Sequence, residues 1–119
     1  MRTLVVAAAL LLAVPAGAAA TTPARLQVVA REYTLTLSRQ TLPAGPVVIE
    51  LVNFGMDPHD LRLQRIGGAR IYGTPVVPVG GQKELRIPRL LAGRYRLWCA
   101  VDDHRMRGMT ATLRVLRRR

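Results

Sequence analysis

Four side chains with metal-binding chemistry fall in a distinctive order along this chain. The only cysteine, Cys99, is followed by His104 five positions later and by Met109 five positions after that. The other histidine, His59, lies about 40 positions upstream of the cysteine. Thiolate and imidazole are strong metal ligands, and a thioether is a weak, soft one. The set predicts a single metal site that forms only when distant segments fold together.

This donor set favours copper over other metals. Two imidazoles, one thiolate and a long axial thioether are the ligands of a mononuclear type 1 copper site. We expect one copper ion per chain, alternating between Cu(I) and Cu(II). The simpler alternative makes Cys99 a buried structural thiol. Met106 competes with Met109 as the axial ligand, but it lies only two residues after His104 and needs a tighter loop. Met56 is expected to pack.

The chain beyond residue 20 is predicted to be all-β. Apolar and polar residues alternate with a period of two, which is typical of half-buried strands. Such runs occur at 33–38, 47–51, 61–64, 84–87, 94–99 and 109–115, with Gly- and Pro-containing turns between them at 42–46, 55–58, 67–68, 80–81 and 92–93. A short edge strand is predicted at 70–72 within a long connection. About seven or eight strands and no helical stripe indicate an antiparallel β-sandwich.

The first 20 residues resemble a secretory signal. Arg2 precedes an apolar run at 4–14, and Pro15 and small residues follow it. We expect cleavage near Ala18 or Ala20, a mature domain at 21–119, and a periplasmic or secreted protein. A retained membrane anchor is the alternative interpretation.

The chain is strongly basic, with a formal net charge of +11. Arginines 117–119 are interpreted as a solvated tail, or as a means of steering towards an acidic partner or an anionic membrane surface. Nucleic acid is not expected as a partner, because no aromatic residues are interleaved with the basic ones and the chain is predicted to be exported. Ser38 is the only serine, no hydrolytic set is visible, and we do not expect an enzyme.

Two segments give the chain a resemblance to the cupredoxins, the small blue copper proteins related to plastocyanin and rusticyanin. They are Asn-Phe-Gly-Met-Asp-Pro-His-Asp-Leu at 53–61 and Gly-Arg-Tyr-Arg-Leu-Trp-Cys at 93–99, the second continuing to the histidine at 104 and the methionine at 109. The resemblance implies a Greek-key sandwich. It also implies that His59, Cys99 and His104 are the strong copper ligands and that Met109 is the axial one.

The same resemblance implies a function. The protein would be a monomeric one-electron carrier between redox proteins, of the cytochrome c or oxidase type. The ring edge of His104 would lie near the surface as the electron exit, and Trp98 would offer a longer second route. A periplasmic copper carrier or resistance protein that hands the metal on uses the same ligands. A metal-free interaction module is a third possibility.

Two departures from the usual family pattern carry expectations of their own. Asp102 and Asp103 stand where many cupredoxins have Pro-Gly before the loop histidine. Their carboxylates are expected to favour Cu(II) and lower the reduction potential. Asp60 stands where an asparagine is common, and we expect it to accept backbone hydrogen bonds that join the two ligand segments.

Overall fold

A computed structural model describes residues 4–5, 7–15, 17 and 21–119. This part of the chain contains nine strands and no helix. The strands are β1 (Ala24–Arg31), β2 (Thr34–Leu37), β3 (Thr41–Pro43), β4 (Gly45–Asn53), β5 (Arg62–Arg65), β6 (Ile71–Gly73), β7 (Gln82–Leu90), β8 (Gly93–Trp98) and β9 (Thr110–Leu116). None of the described residues belongs to a helix that could cross a bilayer. The cleavage site predicted at Ala18 or Ala20 lies outside the described residues.

The strands form two sheets that face each other as a sandwich. One sheet has the order β2-β1-β4-β7, and the other has the order β3-β9-β8-β5-β6. The all-β prediction is confirmed, but the sheets are mixed rather than purely antiparallel. β1 runs parallel to β4, and β3 runs parallel to β9. A period of two specifies which face of a strand is buried and not the direction of its neighbour.

Two strands were missed, so the structure has nine strands instead of about seven or eight. β1 buries Leu26, Val28 and Ala30 on one face, but the apolar Val29 on the other face weakens the alternation. β3 falls in the segment interpreted as a turn. Pro43 is tolerated there because β3 is the edge of its sheet, where a missing backbone N–H is not needed. The predicted edge strand at 70–72 is found one residue later, as β6.

The core lies between the inner faces of the two sheets. Its largest side chains include Leu26, Ile49 and Leu51 from one sheet and Tyr95, Leu97 and Leu113 from the other, and each is at most 2% exposed. In β1 and β9 the core positions alternate with more exposed residues, as the sequence predicted, whereas in the central strand β4 the outward Val48 and Val52 are buried as well. The burial of apolar surface on both inner faces fixes the register of the strands, because a slip by one residue would turn every core side chain outwards.

One end of the sandwich is organised by a buried asparagine. Asn53 ends β4, and its amide nitrogen donates to the carbonyl oxygens of Asp57 and Val77 at 2.8 and 3.0 Å. Its side-chain oxygen accepts a hydrogen bond from the Gly55 amide at 2.9 Å. These bonds hold the loop that follows β4 against the connection before β7. That loop carries the first predicted metal ligand.

Candidate metal centre

The four predicted ligands come from two loops at this end of the sandwich. His59 lies in the loop between β4 and β5, and Cys99 follows β8 directly. His104 lies in the loop between β8 and β9, and Met109 immediately precedes β9. All four are buried: His104 is 4% exposed and the other three are fully enclosed. Folding therefore brings segments 40 residues apart in sequence into one buried cluster.

Three of these side chains present donor atoms to one another. The Cys99 Sγ lies 3.7 Å from the Nδ1 of His59 and 3.7 Å from the Nδ1 of His104. All three donor atoms lie within 4.8 Å of one another. Bonds of about 2.0 Å to imidazole and about 2.3 Å to thiolate, set at 120°, place nitrogen and sulfur about 3.7 Å apart. The cluster therefore has the dimensions of a single-ion site.

The loop between β8 and β9 folds back so that Met109 reaches the same cluster. The Met109 amide donates to the His104 carbonyl at 3.1 Å, and the Cys99 amide donates to the Met109 carbonyl at 3.1 Å. Gly108, at a φ of +109°, makes the turn that this requires. Met109 is fully buried, whereas Met106 is 90% exposed. The geometry therefore favours Met109 over Met106 as the fourth donor. Met56, expected to pack, is 82% exposed.

A carboxylate that the sequence did not single out holds the ring of His59. Glu32 lies in the turn between β1 and β2, and its Oε1 is 2.8 Å from the Nε2 of His59. The same carboxylate accepts hydrogen bonds from the amides of Met56 and Asp57. These bonds, of which the one from Met56 weighs most, lower the pKa of Glu32 to about 2. An ionised Glu32 directs the Nε2 proton of His59 outwards and leaves Nδ1 free for a metal.

The glycine at position 55 makes room for this contact. A Cβ added at Gly55 would fall against the carboxylate of Glu32, well inside any real contact distance. The ligand loop and Glu32 therefore fit together only with a glycine there. No sequence signal identifies Glu32, because it lies 27 positions before His59 and on a different turn.

The ring of His104 is held more loosely and is covered. Its Nε2 lies 3.7 Å from the Oδ2 of Asp57, beyond hydrogen-bond distance. The Tyr33 ring packs against it with centroids 5.2 Å apart, and the guanidinium of Arg107 lies 5.1 Å above the Tyr33 ring. The side chain of His104 is only 6% exposed. The ring edge therefore lies just beneath the surface, beside the half-exposed carboxylate of Asp57 and under the ring of Tyr33.

The two aspartates before His104 form no ion pair with its ring among the described residues. The carboxylate of Asp103 accepts a hydrogen bond from Arg107 at 2.7 Å, and that bond lowers the pKa of Asp103. The carboxylates nearest the two imidazoles are instead those of Glu32 and Asp57. The charges of Asp103 and His104 still interact, so the lower reduction potential expected from the two aspartates stays a prediction.

Asp60 joins the two ligand segments, as predicted. Its Oδ1 accepts a hydrogen bond from the Ala100 amide at 2.6 Å, directly after Cys99. Its Oδ2 accepts from the Nε of Arg62 at 3.1 Å, and its own amide donates to the Cys99 Sγ at 3.5 Å. Burial raises the pKa of the Cys99 thiol, and the amide of Asp60 opposes this effect. The thiol is therefore expected to lose its proton when a metal ion binds to the sulfur, because the metal displaces the proton.

Similarity to known proteins agrees with this geometry. A family model of the cupredoxin-like domain matches residues 2–111. Auracyanin from Roseiflexus castenholzii has a TM-score of 0.65 and 15% identity, covering 81% of this chain and 99% of that chain. Auracyanin A, a "blue" copper protein from Chloroflexus aurantiacus, has a TM-score of 0.65 and 18% identity, covering 80% of this chain and all of that one.

A third solved structure is that of rusticyanin variants. Its TM-score is 0.62 with 20% identity, and the match covers 81% of this chain and 80% of that chain. No curated protein matches this chain in sequence. At these identities the structural likeness shows the fold.

Proposed function

Because this chain belongs to the cupredoxin family, we propose that it is a type 1 copper protein that carries single electrons between redox partners. Copper would be held by His59, Cys99 and His104, with Met109 as the axial ligand. Copper bound there would supply reversible one-electron transfer between Cu(II) and Cu(I). We further propose that the protein works in the periplasm or outside the cell, after removal of residues 1–20, with partners of the cytochrome c or oxidase type.

The observation that carries this proposal is the buried triad of donors. Both imidazole Nδ1 atoms lie 3.7 Å from the one thiol sulfur, and the enclosed Met109 immediately precedes the adjoining strand β9. Zinc sites in proteins are built from cysteine, histidine and carboxylate ligands, whereas a thioether is the usual weak axial ligand of blue copper. The donor set therefore supports copper rather than zinc.

The protein keeps the donors in place without the metal. Hydrogen bonds to Glu32 and within the loop 100–109 hold the ring of His59 and the loop backbone before any ion binds. Asp60 links the segments of His59 and Cys99 through Ala100. The surrounding core excludes water from the thiol. Such a rigid, dry site suits electron transfer, because little has to move when the charge of the ion changes by one.

A copper carrier that hands the metal on is the second candidate, and one observation favours it. Met56 and Met106 lie in the two ligand loops and are 82% and 90% exposed. Exposed thioethers are soft donors that suit transient contact with Cu(I). An electron carrier must retain its copper, whereas a copper carrier must release it.

Reconstitution with copper tests the proposal. We expect the protein loaded with Cu(II) to show an intense band near ~600 nm, arising from the copper–thiolate bond. Cys99→Ser should abolish the band. Met109→Leu should keep the band and raise the reduction potential, and the matched control Met106→Leu should change neither. Protein that fails to bind copper, or that binds it without this band, contradicts the proposal.

A chelator distinguishes the two candidate functions. Retention of copper over hours against a strong Cu(I) chelator is expected for the electron carrier. Release within seconds, slowed by Met56→Leu or Met106→Leu, would identify a copper carrier instead.

A further inference from the structure

The outer face of the five-stranded sheet carries an unusual group of arginines. Arg94 and Arg96 on β8 alternate with core residues and point to the same side as Trp98. Arg114 on β9 stands opposite Arg94, and Arg62 on β5 stands opposite Trp98. Arg105, from the loop that carries His104, places its guanidinium 4.4 Å from the centre of the Trp98 ring. We call these five arginines the arginine face.

Most of the arginine face has no carboxylate to balance it. Among the residues that the structure describes, Arg62 pairs with the buried Asp60, and the other four arginines lie in none of the ion pairs. Arg94 and Arg114 even stand directly across from each other. Like charges placed opposite each other on neighbouring strands are destabilising. The fold therefore keeps a like-charged surface here at some cost in stability.

The outer face of the other sheet is built differently. There Glu84 accepts hydrogen bonds from both Arg25 and Arg86, at 3.1 and 2.7 Å, and Glu50 accepts one from Gln27 at 3.1 Å. In that sheet Arg31, Lys83 and Arg89 also lie in none of the ion pairs of the described residues, but none of them stands opposite another cation, as Arg94 and Arg114 do. Unbalanced positive charge is therefore more concentrated on the arginine face.

The arginine face also has a recess beside the tryptophan. A cavity of about 400 Å³ is lined by Arg96, Leu97, Arg105, Thr110, Ala111 and Thr112. Two guanidinium groups and two threonine hydroxyls converge there. Guanidinium forks bind carboxylates with two parallel hydrogen bonds, which a hydroxyl can supplement. The chemistry of this recess suits an aspartate or glutamate side chain of another protein.

We propose that the arginine face is the docking surface for an acidic redox protein, whose carboxylates pair with Arg94, Arg96, Arg105 and Arg114. The identification of the partner as a redox protein rests on the proposed function. Trp98 lies beneath Arg105 and is joined directly to Cys99, so a partner bound here would stand close to the metal site.

A membrane surface fits the arginine face less well. Proteins that bind anionic bilayers usually combine basic residues with exposed apolar side chains that enter the interface. On β8 and β9 the exposed residues around the recess are Arg96, Thr110 and Thr112, and Trp98 is only 7% exposed. The exposed apolar side chains of Ile66 and Leu116 lie near Arg94 and Arg114, at the far end of the strands. The recess itself therefore offers charge pairing without an apolar anchor, which favours a protein partner.

Binding of a polyglutamate peptide to the Cu(I)-loaded protein tests this inference, with the contact surface mapped by amide NMR shifts. We expect the largest shifts on β8, on β9 and at Arg105. The variant R96E/R114E should weaken binding about tenfold, with a steep dependence on salt. The matched control K83E/R89E changes the net charge equally but alters exposed residues of β7 in the other sheet. It should bind within about twofold of the unaltered protein.

Three outcomes would overturn the inference. Equal losses in R96E/R114E and K83E/R89E would show that only net charge matters. Shifts confined to the arginines at 117–119 would place binding on the tail. Stronger binding to phosphatidylglycerol vesicles than to the peptide, lost in R96E/R114E, would make the face a membrane contact. Thermal unfolding checks that both variants fold. The visible spectrum of the copper form reports on the proposed function separately, so the failure of one proposal leaves the other open to test.

Discussion

The two histidines of the metal centre are held in opposite ways. His59 belongs to the sandwich framework. Its backbone exchanges two hydrogen bonds with that of Val77, and its ring is hydrogen-bonded to Glu32 at 2.8 Å. His104 belongs to a loop of turns, and its Nε2 has only Asp57 at 3.7 Å. Its outer side is covered by the ring of Tyr33. The backbone of His104 is also hydrogen-bonded, to Val101, Arg107 and Met109. The difference therefore lies in the rings: that of His59 is held by a hydrogen bond, and that of His104 by packing.

This difference assigns separate tasks to the two rings. A ligand bound into the framework keeps the site's dimensions, because moving it would break several hydrogen bonds at once. A ligand held by packing can shift a little and lies behind a removable cover. Ion exchange and contact with partners are therefore expected on the His104 side. The His59 side should contribute more to the stability of the fold and to the charge near the metal.

Replacing each histidine by alanine should give the largest difference between the two sides, in the free energy of unfolding. In the metal-free protein, His59→Ala should lower the free energy of unfolding by about 2–4 kcal/mol, because it leaves a buried cavity and deprives Glu32 of its partner. His104→Ala should cost about 1 kcal/mol, since Tyr33 can settle into the space. Urea unfolding without metal measures both. Equal losses would show that the two sides are held alike.

Removal of the Tyr33 ring tests the His104 side of the metal centre alone. Tyr33→Ala should speed the extraction of copper by a chelator on the order of tenfold, because it exposes the ring of His104. Tyr33→Phe keeps the packed ring and should leave the rate unchanged. If both variants release copper at the original rate, the Tyr33 ring is not the barrier to exchange.

The sequence was informative where the signal is local. The alternation at 94–99 and 109–115 predicted β8 and β9 closely. The spacing of Cys99 and His104 pointed to two side chains whose donor atoms lie 3.7 Å apart. Both signals arise from neighbours in the chain, since side chains alternate along a strand and a short loop limits how far its ends can separate.

The features that the sequence missed depend on distant contacts. The pairing of Glu32 with His59 and the packing of Tyr33 on His104 both come from the turn between β1 and β2, far from either ligand in sequence. The parallel pairing of β1 with β4 follows from how the chain crosses between the sheets. No periodicity encodes such contacts. The surroundings of a metal site are therefore harder to predict than its ligands.

The reduction potential sharpens the comparison between the two rings. Glu32→Gln removes a negative charge bonded to the ring of His59, which should disfavour Cu(II) and raise the potential by on the order of tens of millivolts. Asp57→Asn should raise it less, because the Asp57 side chain is 48% exposed and does not bond to the ring of His104. Asp103→Asn serves as a control, since that carboxylate pairs with Arg107. Voltammetry of the three variants would contradict the assignment if Asp57→Asn gave the largest shift.

The dependence of stability on acid pH should be the smallest effect, and it reports on the His59 side of the site alone. The pKa of Glu32 is lowered from 4.5 to about 2, so its carboxylate stabilises the fold fully at pH values above 4.5 and loses this contribution as the pH falls towards 2. The difference in unfolding free energy between the metal-free protein and Glu32→Gln should therefore be greatest near neutral pH and shrink through that window. Urea unfolding at several pH values measures the difference. If it stays constant down to about pH 2.5, the hydrogen bonds to Glu32 do not depend on its charge, and the firm hold on His59 comes from the backbone bridge with Val77 instead.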